Sequence, residues 1–219
     1  MCDVLFYGIG VDTMKFDSIG FDLDGTLWSS VLAVTEAWDT VAPEYNVYEP
    51  TFEQMTGVMG LNEIQLMTKL YPDMSDEDRH DFFGKASALC NKLLSEKGGI
   101  LYEGLEETLE KLSKDFSLYI VSNCQPGYIE TFLDYHHLEK YFTDFQWSGR
   151  ECIPKSDNIK SVIARNGFKN SIYVGDTQGD ADAAYGAGVP FVYAEFGFGK
   201  VKKYDYIAHK FSDIIDIVC

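Results

Sequence analysis

Four short apolar runs along the chain predict buried β-strands. Each run carries at least four β-forming residues and stops at polar residues or glycine. Other segments carry apolar residues at every third and fourth position, as on one face of a helix. Because strands alternate with helices, the pattern predicts an α/β fold with a parallel sheet wrapped on both faces. The predicted strands are 18–24, 116–123, 171–176 and 189–195, and the predicted helices are 104–115, 127–142, 156–168 and 180–189.

Residues 28–99 break this alternation. The segment has no convincing β-run, and turn signals divide it into three or four helical pieces. It holds 12 Asp and Glu residues against 5 Lys and Arg residues. The pattern therefore predicts a small helical insert after the first strand, with 97–104 as the return hinge because its paired glycines absorb backbone rotation. The predicted organisation is one core domain, 1–27 and 100–219, and one helical domain, 28–99.

The charge balance excludes two classes of partner. The 219-residue chain has 18 Lys and Arg residues, 35 Asp and Glu residues, and a net charge of −17, without a basic cluster of five or more residues. Nucleic acid and anionic membrane surfaces are therefore poor partners. An acidic protein can still act on an anionic substrate if a metal ion or a few well-placed lysines reverse the field locally.

Cysteine usage and hydropathy indicate a cytoplasmic protein. The five cysteines are odd in number, widely spaced and free of any CxxC motif, which favours a reducing compartment. The amino terminus has no basic segment typical of a signal peptide, and the longest apolar runs are far shorter than the ~18 residues that a membrane helix needs. The lone GxG in "YGIGV" (7–11) lacks the context of a dinucleotide-binding motif.

The first predicted strand ends in "FDLDGTL", with carboxylates at Asp22 and Asp24. Side chains two residues apart in an extended chain lie on the same face, so both carboxylates can enter one pocket while Leu23 points away. Such close like charges raise a pKa unless a cation lies beside them, and a hard divalent ion such as Mg²⁺ satisfies carboxylate oxygens. The alternative is an ordinary strand-to-turn junction, because Asp and Gly are common turn residues.

Polar residues at other predicted element boundaries suit the same site, because ligands bind at the carboxyl ends of parallel strands. Ser122 and Asn123 end the second strand, where they could hold a phosphoryl oxygen or simply start a turn. Asp176 and Asp180 lie four residues apart near the start of a helix, where one could be an N-cap and the other a solvated first-turn acid. Lys155 begins another helix and could neutralise a bound anion, although most lysines are surface residues.

Together, these motifs resemble the haloacid dehalogenase-like (HAD) hydrolase superfamily, and specifically its phosphatases. The resemblance covers about residues 16–200 and implies a Rossmann-like parallel sheet core with a small α-helical cap inserted after the first strand, of the phosphoglycolate phosphatase-like type. Two further segments, "YEGLEETLEKL" (102–112) and "FGFGK" (196–200), look like parts of those enzymes. The motifs that carry the resemblance are "FDLDGTL" (21–27), "VSN" (121–123), Lys155 and "GDTQGD" (175–180).

The resemblance implies a role for each of these residues. Asp22 would attack phosphorus to form an aspartyl-phosphate, and Asp24 would protonate the leaving alcohol and then activate water. Ser122 and Lys155 would hold the phosphoryl oxygens. Family members often have proline after this lysine, whereas here Ser156 follows, which leaves Lys160 as a rival. The implied Mg²⁺ ligands are Asp22, the backbone carbonyl of Asp24 and Asp176, with Asp180 bound directly or through water.

The expected function is Mg²⁺-dependent hydrolysis of a small phosphomonoester, phosphoglycolate-like or a sugar phosphate. The alternatives are a phosphosugar mutase of the β-phosphoglucomutase kind and a non-catalytic regulatory protein on the same fold. Dehalogenation is disfavoured because dehalogenases that resemble this chain lack the second aspartate, Asp24. In the helical insert, the glycines of "TGVMG" (56–60) could bring backbone N–H groups near the substrate or form a plain interhelical turn. The expected partner is a small phosphorylated metabolite.

Overall fold

A six-stranded parallel sheet forms the centre of the structure, a computed structural model that describes residues 16–148 and 153–219. The strands of the described residues are β1 (Ser18–Phe21), β2 (Trp28–Ser29), β3 (Ile100–Leu101), β4 (Ser117–Ser122), β5 (Phe142–Trp147), β6 (Ser171–Gly175), β7 (Phe191–Ala194) and β8 (Tyr206–Ala208). The sheet order is β5-β4-β1-β6-β7-β8, and every pairing in it is parallel. The prediction of a parallel sheet is confirmed, with the four predicted strands appearing as β1, β4, β6 and β7.

The position of β1 creates the place where a ligand can bind. β1 is entirely buried, as expected of a central parallel strand covered on both faces. It pairs with β4 on one side and with β6 on the other. After β4 the chain continues to the outer strand on that side, β5, whereas after β6 it continues to β7 on the opposite side. Where neighbouring connections turn away from each other in this way, a crevice opens at the carboxyl ends of the strands. Polar residues follow β1, β4 and β6 at this crevice.

The helices cover both faces of the sheet and fill the segment after β1. They are α1 (Val31–Val41), α2 (Phe52–Thr56), α3 (Glu63–Leu70), α4 (Asp76–Lys97), α5 (Leu105–Leu112), α6 (Tyr128–His136), α7 (Lys155–Asn166), α8 (Gln178–Ala187) and α9 (Asp213–Val218). The four predicted crossover helices are confirmed as α5 to α8. α6 ends six residues before its predicted end, because His137 adopts a left-handed conformation with φ of 56° and caps the helix.

Four strands were not predicted from the pattern. The predicted helix at 127–142 includes the first residue of β5, and the pattern does not indicate β8. Both are edge strands whose residues are mostly half-exposed, so they lack the continuous apolar run that marks a buried strand. The two-residue strands β2 and β3 form a short antiparallel ribbon in segments where no strand was predicted.

The helical segment, residues 31–97, has its own apolar interior. Helices α1 and α4 pack against each other, and the fully buried ring of Phe82 on α4 lies at the centre of this interior. The rings of Trp38, Tyr45 and Tyr71 surround it at centroid distances of 5.9, 5.3 and 5.2 Å. α4 also contacts α6, which ties the segment to the sheet side of the molecule. The predicted boundaries at 27/28 and 99/100 fall at the β2-β3 ribbon.

Some sequence predictions concern residues that the structure does not describe. "YGIGV" (7–11), Cys2 and Cys152 lie outside the described residues. Cys90, Cys124 and Cys219 lie within them and are free thiols. Among the described residues, no helix combines the length and the apolar character needed to cross a bilayer.

Candidate active site

The site is built around the backbone that leaves β1. The N–H of Asp22 donates to the carbonyl of Val174 at 2.9 Å, so Asp22 continues the sheet pairing by one residue. The chain then turns sharply at Gly25, which has φ of +89° and whose N–H donates to the carbonyl of Trp28. A turn at this position leaves both Asp22 and Asp24 buried at the mouth of the crevice, where the two residues are 1% and 7% exposed.

Three carboxylates meet at this edge of the sheet. Asp22 follows β1, Asp176 follows β6, and Asp180 lies in the first turn of α8. Each offers one carboxylate oxygen, and the three oxygens lie within 4.8 Å of one another. The structure thus brings together side chains separated by more than 150 residues in sequence, as expected of strand ends in a parallel sheet.

Lys155 bridges two of these carboxylates. Its Nζ lies 2.6 Å from Asp22 Oδ1 and 2.5 Å from Asp180 Oδ1, and the lysine is buried. Burial alone would lower the pKa of Lys155, but the charges of Asp180 and Asp22 outweigh it and raise that pKa. Lys160, the rival in the sequence, is half-exposed and pairs with Asp157 at 3.4 Å. The lysine in contact with the candidate site is therefore Lys155.

Asp180 also caps α8. The N-cap is Thr177, whose side chain accepts from the N–H of Asp180, and Asp180 Oδ2 accepts from the N–H and the hydroxyl of Thr177 at 2.9 and 2.7 Å. The alternative role of Asp176 as an N-cap is wrong, since Asp176 lies one residue before it. Asp180 has one oxygen committed to the cap and the other to Lys155.

The backbone of residues 197–199 closes around Asp176. Asp176 Oδ2 accepts hydrogen bonds from the N–H groups of Phe198 and Gly199, at 2.7 and 3.2 Å. A Cβ on Gly197 would overlap the side chain of Asp176 and the carbonyl of Gly25. Only glycine lets the chain approach this closely, which gives the "FGFGK" segment a physical role in the site.

The single positive charge of Lys155 does not balance the three carboxyl groups of the cluster. Burial, followed by the negative charge of Asp180, raises the pKa of Asp22 well above its ordinary value and that of Asp176 to about 7. Asp22 Oδ2 and Asp176 Oδ1 are buried and have no hydrogen-bond partner among the described residues. Three carboxyl groups therefore share one ammonium group, and two of their oxygens have no partner. This set of groups suits a hard divalent cation, which prefers oxygen ligands.

Asp24 has a different environment. Its Oδ1 accepts from Ser30 Oγ at 2.6 Å and from Tyr128 Oη at 3.0 Å, and the two hydroxyl oxygens are 2.5 Å apart. Burial raises the pKa of Asp24 to about 6, against the lowering effect of these hydrogen bonds. Sequence reasoning missed Ser30 and Tyr128. Neither residue carries a motif, and Tyr128 reaches Asp24 from a helix 104 residues away.

The remaining predicted residues lie around Asp24. Ser122, the last residue of β4, is buried and lines a small cavity together with Asp24 and Asn123. Asn123 Nδ2 donates to the carbonyl of Gly60 at 2.8 Å, which joins the sheet edge to the turn between α2 and α3. The "TGVMG" turn therefore contributes a carbonyl group to this contact.

Comparison with known proteins agrees with this architecture. The sequence model of the haloacid dehalogenase-like hydrolase family matches residues 19–194. The phosphoglycolate phosphatase of Vibrio parahaemolyticus is 26% identical over 218 residues, covering 91% of this chain and 95% of that protein. The phosphoglycolate phosphatase of Aquifex aeolicus is 28% identical over 206 residues, covering 90% of this chain and 94% of that protein.

Solved structures show the same fold. A haloacid dehalogenase-like family protein from Streptococcus pneumoniae superposes with a TM-score of 0.78 at 23% identity, covering 93% of this chain and 98% of that one. The structure of CbbY from Rhodobacter sphaeroides, in complex with phosphate, superposes with a TM-score of 0.76 at 13% identity, covering 91% and 96%. From the extent of the family match and the shared fold, the chain belongs to the haloacid dehalogenase-like hydrolase family.

Proposed function

We propose that this protein is a Mg²⁺-dependent phosphatase that hydrolyses a small phosphomonoester through an aspartyl-phosphate on Asp22. The observation that carries the proposal is the contrast between two buried carboxyl groups two residues apart. Asp22 contacts a lysine and keeps one oxygen without a partner, whereas Asp24 has a pKa of about 6. Relatives at 26–28% identity are named phosphoglycolate phosphatases, which supports a small phosphomonoester as the substrate class.

In the first step, an oxygen of Asp22 attacks phosphorus and the bond from phosphorus to the alcohol oxygen breaks. The leaving oxygen takes a proton from the carboxyl group of Asp24, so that a neutral alcohol departs. In the second step, Asp24 takes a proton from water as the water attacks phosphorus, and the phosphoryl group leaves Asp22 as phosphate. A pKa of about 6 suits a carboxyl group that must both give and accept a proton near neutral pH.

Lys155 and Ser122 would hold the phosphoryl oxygens. The ammonium of Lys155 lies 2.6 Å from the Asp22 carboxylate, beside the point where the phosphoryl group would attach. Ser122 ends the neighbouring strand and can donate its hydroxyl proton to a phosphoryl oxygen. These donors would offset charge that spreads over the phosphoryl oxygens in the transition state.

Asp22, Asp176 and Asp180, together with the backbone carbonyl of Asp24, would hold the Mg²⁺ ion. When bound, the ion would supply positive charge to the acid cluster and to the phosphoryl group. The two carboxylate oxygens without a hydrogen-bond partner, Asp22 Oδ2 and Asp176 Oδ1, support this choice of ligands. The N–H groups of Phe198 and Gly199 fix Asp176 from the opposite side, so that its Oδ1 stays free for the ion.

Residues 28–99 would act as a cap that covers the site and excludes water during the reaction. The hydrogen bond between Asn123 and the carbonyl of Gly60 supports this proposal, because it joins the helical segment to the sheet edge beside Asp24. Movement of the segment would hinge on the β2-β3 ribbon and on Gly98, which has φ of +70°.

The test is phosphate release from a panel of phosphomonoesters, with and without Mg²⁺. Wild type is compared with Asp22→Asn and with Asp115→Asn, a matched change at an exposed aspartate outside the site. We expect Mg²⁺-dependent release that Asp22→Asn abolishes and Asp115→Asn retains. Release that survives Asp22→Asn, or no release from any ester, would contradict the proposal. Phosphorylation of Asp22 by a phosphosugar without net phosphate release would point to a mutase.

A further inference from the structure

Two adjoining cavities lie on the side of Asp24 away from the carboxylate cluster. The inner one, about 50 Å³, is lined by Asp24 and Ser122. The outer one, about 330 Å³, lies between α4 and the loop after β4. They share Phe83, Asn123, Cys124 and Gln125 as lining residues, so they adjoin each other and offer a path away from Asp24. The outer volume falls in the range of roughly 300–1,000 Å³ that is usual for small-molecule sites.

The chemistry of the lining changes along this path. Beside Asp24, the inner cavity is mainly apolar, with Trp38, Met59 and Leu66 among its lining residues. The outer cavity has uncharged polar groups, with the amides of Asn91 and Gln125 hydrogen-bonded to each other at 3.1 Å. Amides both donate and accept hydrogen bonds, so these groups suit hydroxyl groups of a ligand.

Few basic groups face the two cavities. Across residues 16–148 and 153–219, neither lysine nor arginine lines them. His80 is the outer cavity's basic residue, and its Nδ1 already contacts Glu63 Oε1 at 2.6 Å. Neither nearby carboxyl group, Asp24 or Glu63, attracts an anion. Lys155 lines a separate cavity of about 660 Å³, and its charge is paired with the carboxylates of Asp22 and Asp180.

The helices beside the cavities offer little to an anion either. The amino end of α3 is closed by Asn62 and Gln65, whose side chains accept each other's backbone N–H groups, and Glu63 follows in its first turn. The amino end of α6 carries Glu130 in its first turn. A carboxylate in either cavity would therefore lose its hydration without gaining a charged partner.

We propose, resting on the phosphatase function proposed above, that the alcohol part of the substrate is uncharged. The apolar inner cavity receives the carbon atoms next to the phosphoester, and the outer cavity receives hydroxyl groups that bind the amides of Asn91 and Gln125. The preferred substrate is a phosphomonoester of a neutral polyol or a related neutral alcohol. Esters whose alcohol carries a carboxylate, phosphoglycolate included, are poor substrates.

The direct test compares matched esters with and without the carboxylate. Phosphoglycolate is paired with hydroxyethyl phosphate, in which an alcohol replaces the carboxylate, and p-nitrophenyl phosphate reports general activity. We expect kcat/KM for hydroxyethyl phosphate to exceed that for phosphoglycolate by at least about tenfold, since an unpaired buried charge is strongly discriminated against. Equal or better hydrolysis of phosphoglycolate would overturn this inference while leaving the phosphatase function intact. No release from any ester would overturn both.

A variant pair tests whether the outer cavity receives the far end of the substrate. Ala88 lines this cavity but is exposed, so longer side chains fit there without disturbing the interior. The esters are the monophosphate of butanediol and the corresponding phosphorylated hydroxybutyrate. The selectivity ratio is kcat/KM for the phosphorylated hydroxybutyrate divided by kcat/KM for butanediol monophosphate. We expect Ala88→Lys to raise this ratio by about fivefold or more through charge attraction, and Ala88→Gln to leave it unchanged. An unchanged ratio in Ala88→Lys would overturn the assignment.

Discussion

Asp22 and Asp24 lie two residues apart, are both almost completely buried, and yet have opposite surroundings. Asp22 faces an ionic side made of Lys155, Asp176 and Asp180. Asp24 faces a neutral side made of the hydroxyl groups of Ser30 and Tyr128 and an apolar cavity. The alternation of side chains along an extended chain puts both carboxyl groups at the same edge of the sheet, and the elements packed on either side determine their chemistry.

The difference shows how one short motif can supply two kinds of carboxyl group. On the ionic side, charges compensate one another, and a cation is needed to balance the acids. On the neutral side, burial without a cation raises the pKa of Asp24 to about 6, so that it can carry a proton near neutral pH. The first three changes below each alter one side and leave the other intact, and the fourth lies outside the site.

Replacing the carboxyl group of Asp24 should have the largest effect. Asn cannot carry the proton, so we expect Asp24→Asn to lower kcat for alkyl phosphates by about 10²–10⁴-fold. p-Nitrophenyl phosphate needs little help from an acid because its leaving group is already stable as an anion. Stopped-flow absorbance should therefore show a burst of about one equivalent of p-nitrophenolate followed by slow turnover. Equal losses for both classes of ester, without a burst, would contradict the assigned role of Asp24.

The ionic side is tested by its response to Mg²⁺. At Mg²⁺ about 100-fold above its Kd, we expect the Tm of the wild type to rise by about 5–10 °C, because only the folded cluster binds the ion. Asp176→Asn removes one ligand and should abolish most of this rise while stabilising the metal-free protein, since it removes repulsion among buried acids. Asp182→Asn, on the exposed face of α8, is the matched control and should keep the full rise. An equal rise in Asp176→Asn would remove Asp176 from the metal site.

The hydroxyl groups on the neutral side should have a smaller effect. Tyr128→Phe removes one of the two donors to Asp24, and we expect kcat to fall roughly tenfold with KM nearly unchanged. Tyr119→Phe is the control, because Tyr119 is also buried and its hydroxyl bonds to Ser171 Oγ at 2.7 Å away from the site. Each variant should lose about 1 kcal/mol of unfolding free energy. A similar loss of kcat in both would show that the tyrosine acts only through stability.

An ion pair outside the site should have the smallest effect. Burial alone would raise the pKa of Asp144, but hydrogen bonds from Arg165 and Asn166 lower it below its ordinary value. The stabilisation is therefore present above the unfolded pKa of about 3.9 and disappears as pH falls through the folded pKa. We expect Asp144→Asn to lose about 1 kcal/mol or less at pH 7 in urea unfolding, with kcat unchanged. A difference from wild type that grows toward low pH would contradict the assigned sign.

The sequence predicts the centre of the fold better than its edges. Strands β1, β4, β6 and β7 are identified because central parallel strands have continuous apolar runs. The edge strand β5 has the sequence "FTDFQW", in which polar residues interrupt the apolar ones, and nothing in it separates a strand from the end of a helix. Packing beside β4 decides its conformation, and that information is not local.

The same limit applies to the candidate site. Asp22, Asp24, Asp176 and Asp180 can be found because each follows a recognisable strand and the sheet brings strand ends together. The partners of Asp24 cannot be found in this way, since Ser30 lies at the start of α1 and Tyr128 at the start of α6, and the packing of these helices is set by tertiary contacts. Cavity lining presents the same difficulty, because residues from α4 and the loop after β4 combine only in three dimensions.

The most direct test of the account is whether Asp22 carries the phosphoryl group during turnover. Wild type and Asp24→Asn are mixed with Mg²⁺ and a substrate ester, quenched in acid within milliseconds and digested for peptide mass mapping. The account predicts the mass of one phosphoryl group on the peptide that contains Asp22, with higher occupancy in Asp24→Asn because the second step is slowed. Phosphate release with no phosphoryl group on Asp22 in either protein, or with the group on another residue, would contradict it.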